Sequence, residues 1–272
     1  MIASIPSPGS NTISIGPLDL RLYGLCIAFG ALVAVWVASR RYEAAGGDAD
    51  DINRVAMWGI PGGIIGARIY HVITDIDRYW GNFGDAFLIW KGGLGIWGGI
   101  AGGMLAGAYV ARRENMDVPK LLNAVAPAIP IAQAIGRLGN WFNQELFGGP
   151  STLPWAVEID VAHRPVEFAD SATFHPTFLY EATWNLLLAA TLIIVVPRVW
   201  PTLKKGRLFA LYVFGYCLGR LVIELMRTDH ANTILGVRIN VYTSVIVGLS
   251  GLYVAFRGRP GRRAETPVSS DV

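Results

Sequence analysis

The chain has 272 residues, of which 53% are hydrophobic and only 16% are charged, and its mean hydropathy is +0.41. Because a soluble domain usually carries about 25% charged residues, this composition excludes an ordinary soluble domain and indicates a polytopic membrane protein. The net charge of +3 is small, and we expect no nucleic-acid partner. Cys26 and Cys217 lie in apolar runs, which is typical of buried filler residues rather than of a disulfide framework or a metal site.

The predicted elements begin with an arm and continue with seven helices. Residues 1–20 lack the basic and apolar regions of a signal peptide, so they predict a short arm at the membrane interface. A helix needs about 20 mostly apolar residues to cross a bilayer. Segments of this kind lie at roughly 22–39, 52–73, 94–111, 121–138, 178–197, 208–226 and 241–256. Residues 1–256 are therefore predicted to form one transmembrane domain of an all-α protein, with seven transmembrane helices.

Basic residues alternate between the two ends of the predicted helices. One end carries thirteen of them: Arg40, Arg41, Arg112, Arg113, Lys120, Arg198, Lys204, Lys205, Arg207, Arg257, Arg259, Arg262 and Arg263. The other end carries five: Arg78, Lys91, Arg164, Arg227 and Arg238. Because cytoplasmic loops retain basic residues, the N-terminus is predicted to lie outside and the C-terminus in the cytoplasm. Residues 257–272, which are basic and then polar, are predicted to form a disordered cytoplasmic tail.

The longest connection, about residues 139–177, joins the fourth and fifth predicted helices on the outer side. It contains several prolines and a strand-like piece at residues 155–159. Long outer loops often form small caps over a site, so we expect a small extracytoplasmic head here.

Glycines recur at a helical spacing in the second and third predicted helices. Gly95, Gly99, Gly103 and Gly107 are four residues apart, and Gly62 and Gly66 form a second pair. Glycines at this spacing line one helix face and allow another backbone to approach closely. The pattern therefore predicts tight helix packing rather than chemistry.

Polar side chains of the predicted helices concentrate in the outer half of the membrane. At 1.5 Å per residue, Arg68 and Arg137 lie about 24 Å above the inner ends of their helices, and Arg220 lies about 18 Å above its own. The same layer holds Tyr23, His175, Glu181 and Glu224. A charge in hydrocarbon costs at least about 2.5–3.5 kcal/mol, so a set of charges at one depth predicts a water-accessible, net positive cavity.

Each of these residues alone has a simpler interpretation. An arginine near a helix end can extend to the headgroups, Arg220 and Glu224 are spaced to pair with each other, and His175 can cap a helix. Together, guanidinium groups beside aromatic rings at headgroup depth favour an anionic phospholipid ligand. The motifs of phosphate-binding loops, serine-hydrolase elbows and zinc proteases are absent from the sequence. If the protein is an enzyme, we expect the substrate to supply the nucleophile.

Six blocks of the sequence resemble, in order and spacing, the prolipoprotein diacylglyceryl transferases of bacteria. They are ISIGPLDLRLYGL, GGIIGARIYHV, WKGGLGIWGG, GRLGNWFNQELFG, HPTFLYE and GRLVIELMR, and GRLGNWFNQELFG is the most specific. The resemblance covers about residues 13–254. It implies a seven-helix enzyme of the bacterial inner membrane that uses no metal or cofactor. This enzyme transfers the diacylglyceryl group of phosphatidylglycerol to the lipobox cysteine of a prolipoprotein, forming a thioether and releasing glycerol phosphate, the first step of lipoprotein maturation.

The same resemblance implies roles for individual residues. Arg137 matches an arginine that binds phosphatidylglycerol, and Arg220 matches a second essential arginine. Further matching positions are Tyr23, Asn140, Glu145, Gly148, His175, Glu181, Tyr216 and Glu224. The candidate bases are Glu145, Glu181, Glu224 and His175, which the sequence does not rank. Arg68 and Trp97 complete the predicted substrate-binding set. Some relatives have a histidine at the position of Trp97, and an indole cannot accept a proton.

Other functional classes are also compatible with a polar layer in a membrane protein. A membrane lipid transporter is the main alternative, although transporters place their sites near the midplane, often between inverted repeats, and no repeat of that kind is visible. A lipid-binding membrane protein is the second alternative. An intramembrane protease is disfavoured, because the layer lacks Ser–His and Asp–Asp arrangements.

Overall fold

The computed structural model describes residues 4–16, 18–89, 92–204, 206–228 and 233–257. Its helices are α1 (Leu22–Ala44), α2 (Ala49–Thr74), α3 (Ile96–Arg113), α4 (Val118–Val125), α5 (Ala128–Asn143), α6 (Thr177–Ala190), α7 (Val196–Val199), α8 (Arg207–Met226) and α9 (Ile239–Phe256). Its strands form three antiparallel pairs: β1 (Thr12–Ile15) with β2 (Leu18–Arg21), β3 (Val157–Glu158) with β4 (Thr173–Phe174), and β5 (Thr233–Ile234) with β6 (Val237–Arg238). Single turns of 3₁₀ helix occupy Ile76–Tyr79, Phe83–Phe87, Val161–His163 and Val166–Phe168.

Helices cover each of the seven segments predicted to cross the membrane. Five stretches are long and apolar enough to do so: Leu22–Ala44, Val118–Asn143, Thr177–Val199, Arg207–Met226 and Ile239–Phe256. Large apolar side chains such as Phe29, Leu32 and Trp36 are exposed on α1, as lipid-facing residues are. The mostly helical fold thus agrees with an all-α polytopic membrane protein. The predicted tail lies outside the described residues from position 258 onward.

Two of the long helices are continuous in space but interrupted in hydrogen bonding. The predicted fourth helix consists of α4 and α5, which are separated at Ala126 and Pro127 because a proline has no amide hydrogen to continue the ladder. A π-helical turn at Thr191–Val195 joins α6 to α7. The Asp117 side chain begins α4 by accepting a hydrogen bond from the Lys120 amide at 3.0 Å.

Glycines bring α2 and α3 into backbone contact, as their spacing predicted. A Cβ atom on Gly66 would lie 2.3 Å from the Gly98 carbonyl oxygen, and one on Gly102 would lie 2.3 Å from that of Gly62. The tightest contacts therefore run through Gly98 and Gly102, one residue away from the predicted row. At Gly99 the nearest atom would be 3.4 Å away, which is ordinary contact.

Helix α1 packs against α5 through two further glycines. A Cβ on Gly30 would lie 2.9 Å from the Ala132 carbonyl oxygen, and one on Gly139 would lie 2.5 Å from the Tyr23 ring. The second contact fixes Tyr23 against the most specific sequence block. Apolar cores fill the end of the bundle where α1 finishes and α8 begins, around Tyr42, Leu121, Leu192 and Leu208.

The connection between α5 and α6 contains a short strand pair and a small apolar core. Strands β3 and β4 pair, and Ile5 of the N-terminal arm forms a parallel bridge with Val157. Phe147, Val157, Ile159, Phe174 and Phe178 form the core of this unit. We call residues 144–176 the head; the arm is attached to it and does not lie free.

Candidate active site

A carboxylate between two arginines lies where α5, α6 and α8 meet. Arg137 Nη2 lies 2.8 Å from Glu181 Oε1, and Arg220 Nη1 lies 3.6 Å from Glu181 Oε2. The sequence predicted that these three residues share a layer, and the structure brings them together. The two guanidinium groups contact the two oxygens of the Glu181 carboxylate, so they are close enough to bind one ligand together.

Glu224 extends this arrangement toward α9. Its Oε2 accepts a hydrogen bond from Arg220, and its Oε1 lies 2.8 Å from Arg238 Nε and accepts a hydrogen bond from Asn240 Nδ2 at 3.1 Å. Arg227 Nη1 lies 4.0 Å from Glu224 Oε2. We call the set of Arg137, Glu181, Arg220, Glu224, Arg227 and Arg238 the ion-pair network. Its four arginines and two carboxylates all lie within 4.0 Å of an oppositely charged member of the set.

The carboxylates of the network are more deeply buried than the arginines beside them. The Glu181 side chain is 5% exposed and that of Glu224 is 0% exposed, whereas Arg137 is 20% exposed and Arg220 15% exposed. The two arginines are therefore more accessible than the carboxylates that hold them.

The end of α5 turns back on itself and places Glu145 beside the network. Gln144 and Leu146 adopt left-handed backbone conformations, with φ of 51° and 57°. The turn allows Glu145 Oε1 to accept hydrogen bonds from Asn140 Nδ2 at 2.9 Å and from Asn143 Nδ2 at 3.1 Å. Asn140 Oδ1 in turn accepts one from Arg137 Nη1 at 3.3 Å. Asn140 thus links Glu145 to Arg137.

The head is attached to this turn through hydrogen bonds and one glycine. The Gln144 side chain donates to Asp160 Oδ2 at 2.6 Å and accepts from the Asp160 amide at 2.8 Å. A Cβ on Gly148 would lie 2.9 Å from the Met226 carbonyl oxygen and 3.0 Å from the His175 Cβ. Gly148 therefore serves the close packing of the head on α6 and α8.

His175 and Tyr216 lie at the edges of the site. The His175 Nδ1 is 3.2 Å from the Tyr180 hydroxyl, which also accepts a hydrogen bond from Trp155 Nε1 at 3.0 Å. Tyr216 is on α8 one turn before Arg220, and its ring stacks at a tilt on that of Tyr212. His175 is thus joined to the packing of the head, and Tyr216 borders the network.

Two of the predicted binding residues are not joined to the network in the described part of the chain. The Arg68 guanidinium donates hydrogen bonds to backbone carbonyls of residues 85–93, at 2.7 Å to Ala86 and 2.6 Å to Gly92, and lies over the Tyr79 ring. Trp97 is half exposed in the first turn of α3. Their roles in binding remain predictions.

The structure adds polar residues that the sequence did not single out. Asn185 on α6 is fully buried, and neither atom of its amide has a partner among the described residues. Asn185 follows Glu181 by four residues, so it lies one turn further into the bundle. On α5, one turn before Arg137, the buried Gln133 Oε1 also has no hydrogen-bond partner among the described residues. The four-residue spacing between Glu181 and Asn185 is the sequence feature that could have predicted Asn185 as a site residue. Arg238 had been counted only as a loop charge.

Comparisons with known proteins agree on one family. The sequence model of the family described as prolipoprotein diacylglyceryl transferase matches residues 10–257. The chain is 48% identical over 266 residues to the phosphatidylglycerol–prolipoprotein diacylglyceryl transferase 2 of Streptomyces coelicolor, covering 96% of this chain and 83% of that protein. It is 47% identical over 283 residues to the enzyme of this name from Streptomyces griseus, covering 99% and 85% of the two chains. A relative of the same name in Bifidobacterium adolescentis is 45% identical over 268 residues, covering 94% and 80%.

Proposed function

The chain belongs to the prolipoprotein diacylglyceryl transferase family, and we propose that it transfers the diacylglyceryl group of phosphatidylglycerol to the lipobox cysteine of prolipoproteins in the bacterial inner membrane. The observation that carries this proposal is the placement of Arg137 and Arg220 on either side of Glu181. Two guanidinium groups at a fixed spacing match the oxygens of a phosphodiester. Both guanidinium groups also remain partly exposed.

The reaction is a displacement at the glycerol carbon that carries the phosphate. The cysteine sulfur forms a bond to this carbon, the carbon–oxygen bond breaks, and glycerol phosphate leaves with the electron pair. The thiol proton passes to a base and then to solvent or to the leaving phosphate. Negative charge grows on the leaving oxygen, so Arg137 and Arg220 stabilise the transition state more than the bound substrate. Nearby positive charge also favours ionisation of the cysteine thiol, whose pKa in an unperturbed cysteine is about 8.5.

Among the four candidate bases, the hydrogen-bonding pattern favours Glu145. Glu181 and Glu224 are buried and occupied by arginines, and the His175 ring nitrogen faces Tyr180. Of the two carboxylate oxygens of Glu145, Oε1 accepts hydrogen bonds and Oε2 accepts none from the described residues. Oε2 can therefore take the thiol proton. We infer that Glu145 accepts the proton while Glu181 and Glu224 position the arginines.

The amide of Asn185 suits a deeper part of the same lipid. In a phospholipid the ester carbonyls lie below the phosphate, toward the hydrocarbon. Asn185 lies one turn below Glu181, and its Nδ2 group has no partner among the described residues. A buried donor without a partner costs about 1–3 kcal/mol, and an ester oxygen would remove this cost. We infer that Asn185 donates to an ester carbonyl of the bound lipid.

We infer that all seven helical segments cross the membrane, with the head and the N-terminus outside and the C-terminus in the cytoplasm. The alternating basic residues support this orientation, and the glycine contacts support pairing of the less apolar α2 and α3 within the bundle. In a variant without Cys26 and Cys217, Val166→Cys in the exposed part of the head should react with an impermeant thiol reagent in intact cells. Arg40→Cys should react only after lysis, and the reverse pattern would contradict the orientation.

The transfer itself is tested with purified protein, phosphatidylglycerol and a synthetic lipobox peptide. The peptide mass should increase by one diacylglyceryl group, and the peptide with serine in place of cysteine should remain unchanged. Phosphatidylcholine in place of phosphatidylglycerol should give little product. An unchanged cysteine peptide would favour a lipid-binding or lipid-transporting protein instead.

A further inference from the structure

A pocket of about 300 Å³ opens at the end of the bundle opposite to the ion-pair network. It lies where α1 and α7 end and where α4 and α8 begin, and these ends carry most of the basic residues of the chain. Its lining includes Arg41, Lys120, Asn123, Trp200, Leu203 and Leu208. Neither the transfer reaction nor the lipid contacts proposed above use any of these residues.

The two cations of this pocket lack a carboxylate partner in the described part of the chain. The Arg41 Nε atom is buried and donates no hydrogen bond to the described residues. Lys120 Nζ donates only to the Gly46 carbonyl at 3.2 Å and lies 5.8 Å from the centre of the Tyr42 ring. The neighbouring Arg40 differs, since its side chain is 71% exposed and lies 4.0 Å from Glu43. A partly buried arginine without a counter-ion is costly, so an anion from outside the chain would stabilise it.

The remaining walls of the pocket are mostly apolar. Val196, Pro197, Pro201, Leu203 and Leu208 line the side formed by α7 and α8. Asn123 holds the start of α8 in place, because its Oδ1 accepts a hydrogen bond from the Gly206 amide at 2.9 Å. Trp200 at a helix end is typical of the membrane–water interface. A soluble anion would use the two cations alone, whereas a lipid would use the cations and the apolar wall.

We propose that this pocket binds an anionic phospholipid of the leaflet opposite to the transfer site, with its phosphate between Arg41 and Lys120 and its acyl chains along α7 and α8. Basic residues at a membrane surface attract anionic lipids by about 1 kcal/mol each, which corresponds to about a fivefold change in affinity. A fixed pair of partly desolvated cations should contribute at least this much per residue. The bound lipid would join α1, α4 and α8 at the end of the bundle that the transfer site does not touch.

Native mass spectrometry of the full chain with dioleoyl phosphatidic acid tests the proposal. Arg41→Gln and Lys120→Gln should each weaken binding of one lipid molecule by about fivefold or more. Arg40→Gln, which removes the same charge from the same helix end, should bind as the wild type does. The transfer site is unaltered in all these variants, so any phosphatidic acid bound there contributes equally to each.

Three results would overturn the proposal: equal binding by Arg41→Gln, Lys120→Gln and Arg40→Gln, equal occupancy with dioleoyl phosphatidylcholine, or equally effective competition by inorganic phosphate at the lipid concentration. The last result would assign the pocket to a soluble anion. If Arg41→Gln does not fold, Lys120→Gln on α4 decides the question, because it leaves α1 unaltered.

Discussion

Two arginine sites lie on the long helices of this molecule but engage different kinds of partner. Arg68 on α2 donates hydrogen bonds to neutral backbone carbonyls of residues 85–93, including Asp85 at 2.6 Å and Gly93 at 2.9 Å. Arg137 and Arg220 instead face the carboxylate of Glu181. The residue Arg68 is buried, whereas the Arg137 side chain retains 20% exposure.

From this difference we infer that Arg68 has a structural role and that Arg137 and Arg220 can bind a ligand. The guanidinium of Arg68 has its donors directed at carbonyls, so it fixes a loop that has little regular structure of its own. Among the described residues, Arg137 and Arg220 have donors without a hydrogen-bond acceptor, and Glu181 contacts both guanidinium groups. An arginine in a membrane segment therefore indicates function only once its partners are known.

The largest expected effect is on the arginines that face Glu181. Arg137→Ala and Arg220→Ala should each lower the transfer rate by about 10²–10³, because each removes a charged donor to the leaving phosphate. Initial rates measured by peptide mass at saturating phosphatidylglycerol give this number. Near wild-type transfer by either variant would remove that arginine from the site.

A smaller loss is expected when the shared carboxylate is neutralised. Glu181→Gln keeps the shape but loses the charge that holds Arg137 and Arg220 at their spacing, and a shift of about 1 Å can cost about 10² in rate. The variant should also unfold at lower temperature, since breaking a buried ion pair costs about 3–5 kcal/mol. Glu43→Gln, at an exposed pair on α1, is the matched control and should change neither quantity.

Asn185→Leu should lower the transfer rate without lowering the stability of the fold. Replacing a buried amide that lacks a partner with an apolar side chain of similar size should leave the melting temperature unchanged or raise it. Transfer should fall by about tenfold, because a hydrogen bond to the lipid ester is lost. Unchanged transfer with raised stability would show that Asn185 does not contact the lipid.

The smallest effect on transfer is expected at Arg68. Arg68→Lys cannot reproduce the hydrogen bonds of the guanidinium to residues 85–93, so the melting temperature should fall. The rate per folded molecule should stay within about threefold of wild type, because no described contact joins Arg68 to the ion-pair network and substitutions away from a site rarely alter its chemistry. Arg78→Lys, at an exposed position nearby, should leave both quantities unchanged.

The sequence was sufficient to place the seven helical segments and to bring Arg137, Glu181 and Arg220 into one layer. The length of apolar segments and the rise per residue are local quantities, and they carried these predictions. The partners of Arg68 could not be predicted, because backbone carbonyls leave no mark in the sequence. Asn185 was missed for a related reason: its spacing from Glu181 was visible, but its burial without a partner is a property of the packed bundle.

The break between α4 and α5 shows the same limit. Pro127 and Pro130 were present in the predicted fourth helix, but hydropathy alone treats that segment as continuous. The ranking of the candidate bases also required coordinates. Only the hydrogen bonds of Glu145, Glu181 and Glu224 distinguish a carboxylate with a free oxygen from two that are held by arginines.

The most direct test of the central claim compares one conservative substitution at both kinds of site. Arg137→Lys and Arg68→Lys each keep the positive charge and lose the guanidinium fork. The initial rate of diacylglyceryl transfer per folded molecule should fall by at least about tenfold for Arg137→Lys and stay within about threefold for Arg68→Lys. Equal losses in the two variants, or a larger loss for Arg68→Lys, would contradict the assignment of transfer to the ion-pair network.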